Sequence, residues 1–127
     1  MIKISIDEAA AFDILSIFEV KNENRYIDNL NDKNYLKLQW EIENQIGSDK
    51  FNEILESEEY LALKFINRDI FHLIDYVKKH PKKIFFESAD KLNYSRYKYK
   101  TLLQEKFFNK ELNEVKIGYD DKDNSKV

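Results

Sequence analysis

Apolar residues recur along this chain at helical spacing, and they separate into successive runs. Ile2-Lys3-Ile4 alternates like a short strand, and Ser5-Ile6-Asp7-Glu8 has the spacing of a capping box, a hydroxyl and a carboxylate three residues apart. Ala9, Ala10, Phe12, Ile14, Leu15, Ile17, Phe18 and Val20 follow, dense enough for a helix packed on more than one side. That helix is predicted from about Ile6 to the polar stretch 22–24. After a loop over 29–34, Tyr35, Leu38, Ile42 and Ile46 share one face of a second helix, widened by Leu36 and Trp40, and Gly47 suits the position just past its end. Ser48 can cap a short helix holding Phe51, Ile54 and Leu55. Ser57, with Glu58 and Glu59 behind it, reads as another cap with acids in the first turn, so the chain over 48–79 either pauses at Glu56–Ser57 or continues unbroken. Leu63, Ile66, Ile70, Leu73 and Val77 form the next stripe, which Pro81 stops. The last long helix begins between Lys83 and Ser88 and runs through Leu92, Tyr99, Leu103 and Phe107 to about Lys110.

The pattern therefore predicts an all-α fold, an antiparallel bundle of four or five helices forming one domain over 1–119 with a polar tail at 120–127. Glu114-Val115-Lys116-Ile117 alternates again and offers a partner for Ile2–Ile4 in a two-stranded ribbon joining the termini. Composition agrees with helices: two glycines and one proline leave few places to turn. An aromatic content of 14% supplies large rings for a core and argues against disorder. With no cysteine there is neither a disulfide nor a thiolate metal site, which fits a reducing compartment. The N-terminus lacks the basic and apolar regions of a signal peptide, and no apolar run has membrane-spanning length; the expected location is the cytoplasm.

Charge is divided unevenly. Residues 1–75 carry 16 acids against 8 bases, residues 76–116 carry 5 acids against 11 bases, and the whole chain is −3. Two such halves attract each other across a bundle, join copies head to tail, or hold an anionic partner.

The final helix contains the most informative polar residue. Ala89, Leu92, Arg96, Tyr99 and Leu103 fall on one stripe, so an arginine occupies a core-facing position, flanked by Asn93 and Lys100. A guanidinium withdrawn from water needs an acidic or carbonyl partner. Asp13, between Phe12 and Ile14 in the most apolar helix, needs a cation for the same reason. An Asp13–Arg96 bridge with Asn93 completing its hydrogen bonds would set helix register; a pocket for an anionic ligand is the other reading.

Phe12-Asp13-Ile14-Leu15-Ser16-Ile17-Phe18-Glu19-Val20-Lys21 resembles the opening motif, apolar-Asp-x-Leu-Ser/Thr-Ile-x-x-Ile-Lys, of an uncharacterised family of small helical proteins of tailed phages and bacteria. Asn93-x-x-Arg96-x-x-x-Lys100, followed by Glu114-Val115-Lys116 and Tyr119, is similar to that family's closing motif, although Ile14 stands where a lysine is usual. The resemblance implies a helical fold, singles out Asp13, Lys21, Asn93, Arg96 and Lys100 as candidate ligand-binding residues, and implies no activity. A phage-encoded protein would work in the host cytoplasm.

Other chemistry is thinly represented. Glu53 and Glu56 have the Glu-x-x-Glu spacing of all-α nucleotide pyrophosphohydrolases, with Asp69 available for a second motif, but Ile66 replaces the glutamate that motif needs. His72, read as a partly buried packing residue, and His80 have no partner at metal-ligand spacing, so neither a metal nor a cofactor is expected. Lys78–Lys83 and the tyrosines interleaved with Arg96, Lys98 and Lys100 suit single-stranded nucleic acid, against the acidic half and a pI near 5.5. Tyr94, Tyr97, Tyr35 and Trp40 exceed what one core can bury and are candidates for an interface. The leading expectation is a non-catalytic helical interaction or scaffold protein that self-associates. A small anionic-ligand-binding or nucleotide-hydrolysing bundle is the alternative, and nucleic-acid binding the second.

Overall fold

The computed structural model describes residue 2 and residues 4–24, 30–80 and 83–113, and its regular structure is entirely helical: α1 Glu8–Asn24, α2 Leu30–Ile46, α3 Ser48–Leu55, α4 Glu58–Lys79 and α5 Lys83–Phe108. Among the described residues no strand forms, and no helix is long and apolar enough to cross a membrane. The segment 114–117 expected to pair with Ile2–Ile4 in a ribbon, and the tail expected at 120–127, lie outside the described residues.

One cluster of buried side chains draws on all five helices: Ala9, Phe12 and Leu15 from α1, Ile42 from α2, Phe51 and Ile54 from α3, Tyr60 and Leu63 from α4, and Leu103 from α5. Phe12 is its hub, with Phe51 and Tyr60 rings 6.0 Å away and Phe108 at 6.5 Å. The density of apolar residues in α1 has the meaning its sequence predicts, since this helix packs against α2, α4 and α5.

The breaks between helices are chemically specific. Gly47 donates its N–H to the Glu43 carbonyl, closing α2, and is also the N-cap of α3, at φ 92° and ψ 151°. That region is open essentially to glycine alone. Ser48 is not the cap that its sequence position suggests: its hydroxyl donates to Glu43 instead, at 2.7 Å. The chain does pause at Glu56–Ser57, where the Ser57 hydroxyl accepts from the Tyr60 N–H and donates to the Ile54 carbonyl. Residues 48–79 thus form two helices.

The start of α1 departs from the capping box. The helix begins at Glu8, the Asp7 carbonyl accepts from Ala10 and Ala11, and Ser5 is exposed outside it. The Ala9 N–H is satisfied from α5, by Gln104 Oε1 at 2.8 Å, while Gln104 Nε2 donates to Glu8. Gln104 is fully buried, and in a dry site its two bonds outweigh those of a serine surrounded by water. The same bond from Gln104, with Lys110 nearby, holds the Glu8 carboxyl below the usual glutamate range.

Candidate functional site

A polar seam runs along α1 inside this apolar frame. Asp13, Ser16, Glu19 and Glu23 follow one another at three- and four-residue steps, so they line one side of the helix. That side faces polar residues of α4 and α5, and all of the seam's upper part is withdrawn from water.

Asp13 is its centre, with a side chain only 4% exposed. Its Oδ2 accepts from Arg96 Nη2 at 2.8 Å and from Arg96 Nε at 3.0 Å, so the guanidinium grips it through two nitrogens. Its Oδ1 accepts from Asn67 Nδ2 at 2.8 Å, and Lys100 Nζ lies 3.9 Å from Oδ2. Asn67 donates also to Ser16 Oγ at 2.7 Å, and Ser16 donates back to the Asp13 carbonyl. One carboxylate thus ties α1 to α4 and α5 at once. The deepest cation is Lys100, 8% exposed, whereas Arg96 keeps 29% of its side chain in water and does not sit fully in the core as its stripe predicts.

Four of the five residues singled out from the sequence therefore meet. Asn93 is a lesser member: its Oδ1 accepts from Arg96 Nη1 at 3.4 Å, and the amide bonded directly to Asp13 is Asn67 instead. Lys21 does not join them. It is exposed in the last turn of α1, two turns and about 12 Å along the helix from Asp13.

A second node sits one turn further down the seam. Glu19 accepts hydrogen bonds from the hydroxyls of Tyr35 on α2 and Tyr60 on α4, and Lys64 stands 3.8 Å away. Burial, reinforced by the Glu19 charge, pushes both phenols well above the usual tyrosine value. At the exposed end Glu23 pairs with Lys64 at 2.7 Å and Arg68 at 2.8 Å, and the Lys64 bond leads in holding its carboxyl below the usual range. Glu19, Tyr60, Asn67 and Gln104 are absent from the sequence-based set. A faint signal exists for two: Asn67 lies four residues after Leu63 on the inward stripe of α4, and Gln104 four after Lys100.

These contacts restrict the chemistry. A general base needs a lone pair directed at a substrate, and both Asp13 oxygens already accept from protein donors. The acidic spacing of Glu53 and Glu56 lies on an exposed face with Asp69 likewise exposed, and among the described residues no three His, Asp or Glu side chains gather closely enough to hold a metal. His72 is exposed beside the Phe71 ring, not partly buried as expected. The basic half turns Arg96 and Lys100 inward onto Asp13, away from any polyanion. Its charge also reaches the acidic half through Lys106 on Glu59 and Lys110 on Glu8. Of the rings proposed for an interface, Trp40 and Tyr94 are exposed and Tyr97 is half-buried; Tyr35 is spent on Glu19 and packs on the core.

No family model, curated protein or solved structure matches the chain, so its functional reading rests on its own residues.

Proposed function

We propose that this is a small, non-catalytic helical interaction protein whose copies associate through the outer face of α2. One observation carries the reading: Leu36 and Trp40, one turn apart on α2, are 60% and 64% exposed. A tryptophan and a leucine side by side in water resemble the aromatic anchor of an interface. Beside Trp40, a hollow of about 390 Å³ is lined by Glu43, Asn44, Gly47 and Ser48. A protruding ring next to a hollow is self-complementary under a two-fold axis, because each copy then supplies one and receives one. The polar seam, in contrast, is consumed by its own contacts and acts as architecture.

The reading includes a single antiparallel bundle over 1–119. It is supported by the core shared among all helices and by opposed pairings along α1 and α5, with Glu8 at Gln104 and Asp13, further along, at Arg96. Sedimentation velocity across a hundredfold concentration range tests the association. The expected result is growth from 15.3 kDa to twice that mass, abolished in Leu36→Ser/Trp40→Ser. A strict monomer at every concentration would remove the proposal.

A further inference from the structure

The ring and the hollow that carry the association stand at different levels of α2. Trp40 borders the hollow, whose other walls are Glu43 and Asn44, one turn further along, and Gly47 and Ser48, two turns along. At about 1.5 Å of rise per residue, that space lies roughly 5–10 Å past the ring toward the C-terminal end of the helix. The offset restricts how two copies can meet. If their α2 helices ran parallel about a two-fold axis, each residue would stand level with its own equivalent, and Trp40 would face Trp40. A parallel pair slid along by one or two turns brings one ring to one hollow but leaves the other ring and hollow unused, so further copies add without closing. An antiparallel pair, with the two-fold axis across the helices, carries each ring to the other copy's hollow.

The charges along α2 favour the same arrangement. Its N-terminal half exposes Lys33 and Lys37. Its other end exposes Glu41 and, just past Gly47, Asp49 in the first turn of α3, with a half-buried Glu43 between them. Parallel helices set the two basic ends side by side and the two acidic ends likewise. Antiparallel helices set each basic end against an acidic one, as flanking charges do in paired helices. The levels also define a register. With Trp40 over the other copy's hollow, Lys37, about one turn before the ring, falls about one turn beyond the middle of that hollow, at the level of Asp49.

Resting on the reading of α2 as the contact face, we infer that two copies pair antiparallel along α2 and that Lys37 and the other copy's Asp49 select this orientation. A two-fold dimer contains that ion pair twice, once at each end of the contact, so one substitution acts on both. These pairs stand at a wet rim, where they align the copies more than they hold them together. Leu36 and Trp40 supply the affinity.

The chain has no cysteine, so engineered disulfides report the orientation cleanly. A mixture of Lys37→Cys and Asp49→Cys chains is expected to cross-link between the two variants, and Lys37→Cys alone to cross-link to itself far less. Charge exchange reads the same pair without a cross-link. Lys37→Asp and Asp49→Lys should each raise the dimer dissociation constant on the order of tenfold, and both exchanges in one chain should bring it back toward the starting value. Reversal at Asp49 also removes an acid from the first turn of α3, where the helix dipole favours one; the cysteine pair is independent of that cost. A dimer in which Lys37→Cys joins to itself as readily as to Asp49→Cys would overturn the inference while leaving the contact face in place. So would a dimer indifferent to both charge exchanges and joined by neither cysteine, or growth past twice the chain mass, since copies would then add head to tail. A chain monomeric at every concentration removes the contact face and the orientation together.

Discussion

Replacing Asp13 with asparagine isolates what the seam contributes. The exchange preserves shape and removes one charge from a site 4% exposed, where the carboxylate faces Arg96, Lys100 and Asn67. Breaking a buried ion pair from one side costs about 3–5 kcal/mol, chiefly because the remaining charge stays buried without its counter-charge. Arg96 is 29% exposed and can rehydrate, which lowers its share; Lys100, at 8%, cannot do so without moving. The expected loss is therefore about 3 kcal/mol, at the lower end of that range. For a chain of this length it corresponds to a fall in Tm on the order of 10 °C. Arg96→Ala should cost less, about 1–2 kcal/mol, since Asn67 and Lys100 continue to face Asp13 and only charge-assisted bonds at a wet edge are lost. Urea unfolding followed by far-UV circular dichroism is the assay, as Trp40 is already exposed in the native state and reports unfolding poorly. Adding Lys100→Met to Asp13→Asn should recover part of the loss, because one buried ammonium charge goes together with the carboxylate charge it faced. The reasoning is refuted if Asp13→Asn stays within about 0.5 kcal/mol of wild type, or if Arg96→Ala proves the more damaging change.

Two further expectations follow from other parts of the fold. Gly47→Ala should destabilise by about 1–3 kcal/mol through backbone conformation alone, since an added Cβ at φ 92° meets no atom within 4 Å; thermal unfolding measures it, and a neutral result would mean that the α2–α3 junction relaxes freely. Tyr35 and Tyr60 have phenols raised by burial and by Glu19, so both keep their protons in the folded state after the unfolded chain begins to lose them near pH 10. Their contribution is thus complete below about pH 10 and is lost as pH rises through the folded values. Absorbance at 295 nm should show two of the eight tyrosines ionising only as helical structure collapses.

Much of this architecture was legible where a local rule decides. Ser57 ends one helix and starts the next because its hydroxyl serves both backbones, and that signal is contained within four residues. Asp13 and Arg96 stood out because each interrupts an apolar stripe, and their mutual need for a counter-charge paired them across 83 positions. Asn67, Glu19 and Gln104 were not legible in the same way, as neutral or surface-like residues of amphipathic helices carry no obligation to pair until packing buries them. The N-terminus of α1 shows the limit most clearly. Ser5 and Glu8 satisfy the local rule for a cap, yet Gln104, 95 positions from Ala9, supplies the bond. On α2 the sequence points to Trp40 as a spare ring but counts Leu36 only as widening the apolar stripe, and Tyr35 looks equally spare although Glu19 holds its hydroxyl.

Trp40 makes the central claim directly measurable, because the chain has one tryptophan and it stands on the proposed contact face, 64% exposed. The decisive experiment records its emission maximum and iodide quenching together with mass by light scattering over a concentration series. The account predicts that emission shifts to the blue and quenching falls in step with a doubling of mass. A mass that doubles while Trp40 keeps the emission and quenching of a solvent-exposed indole would contradict it, and so would a mass that never rises.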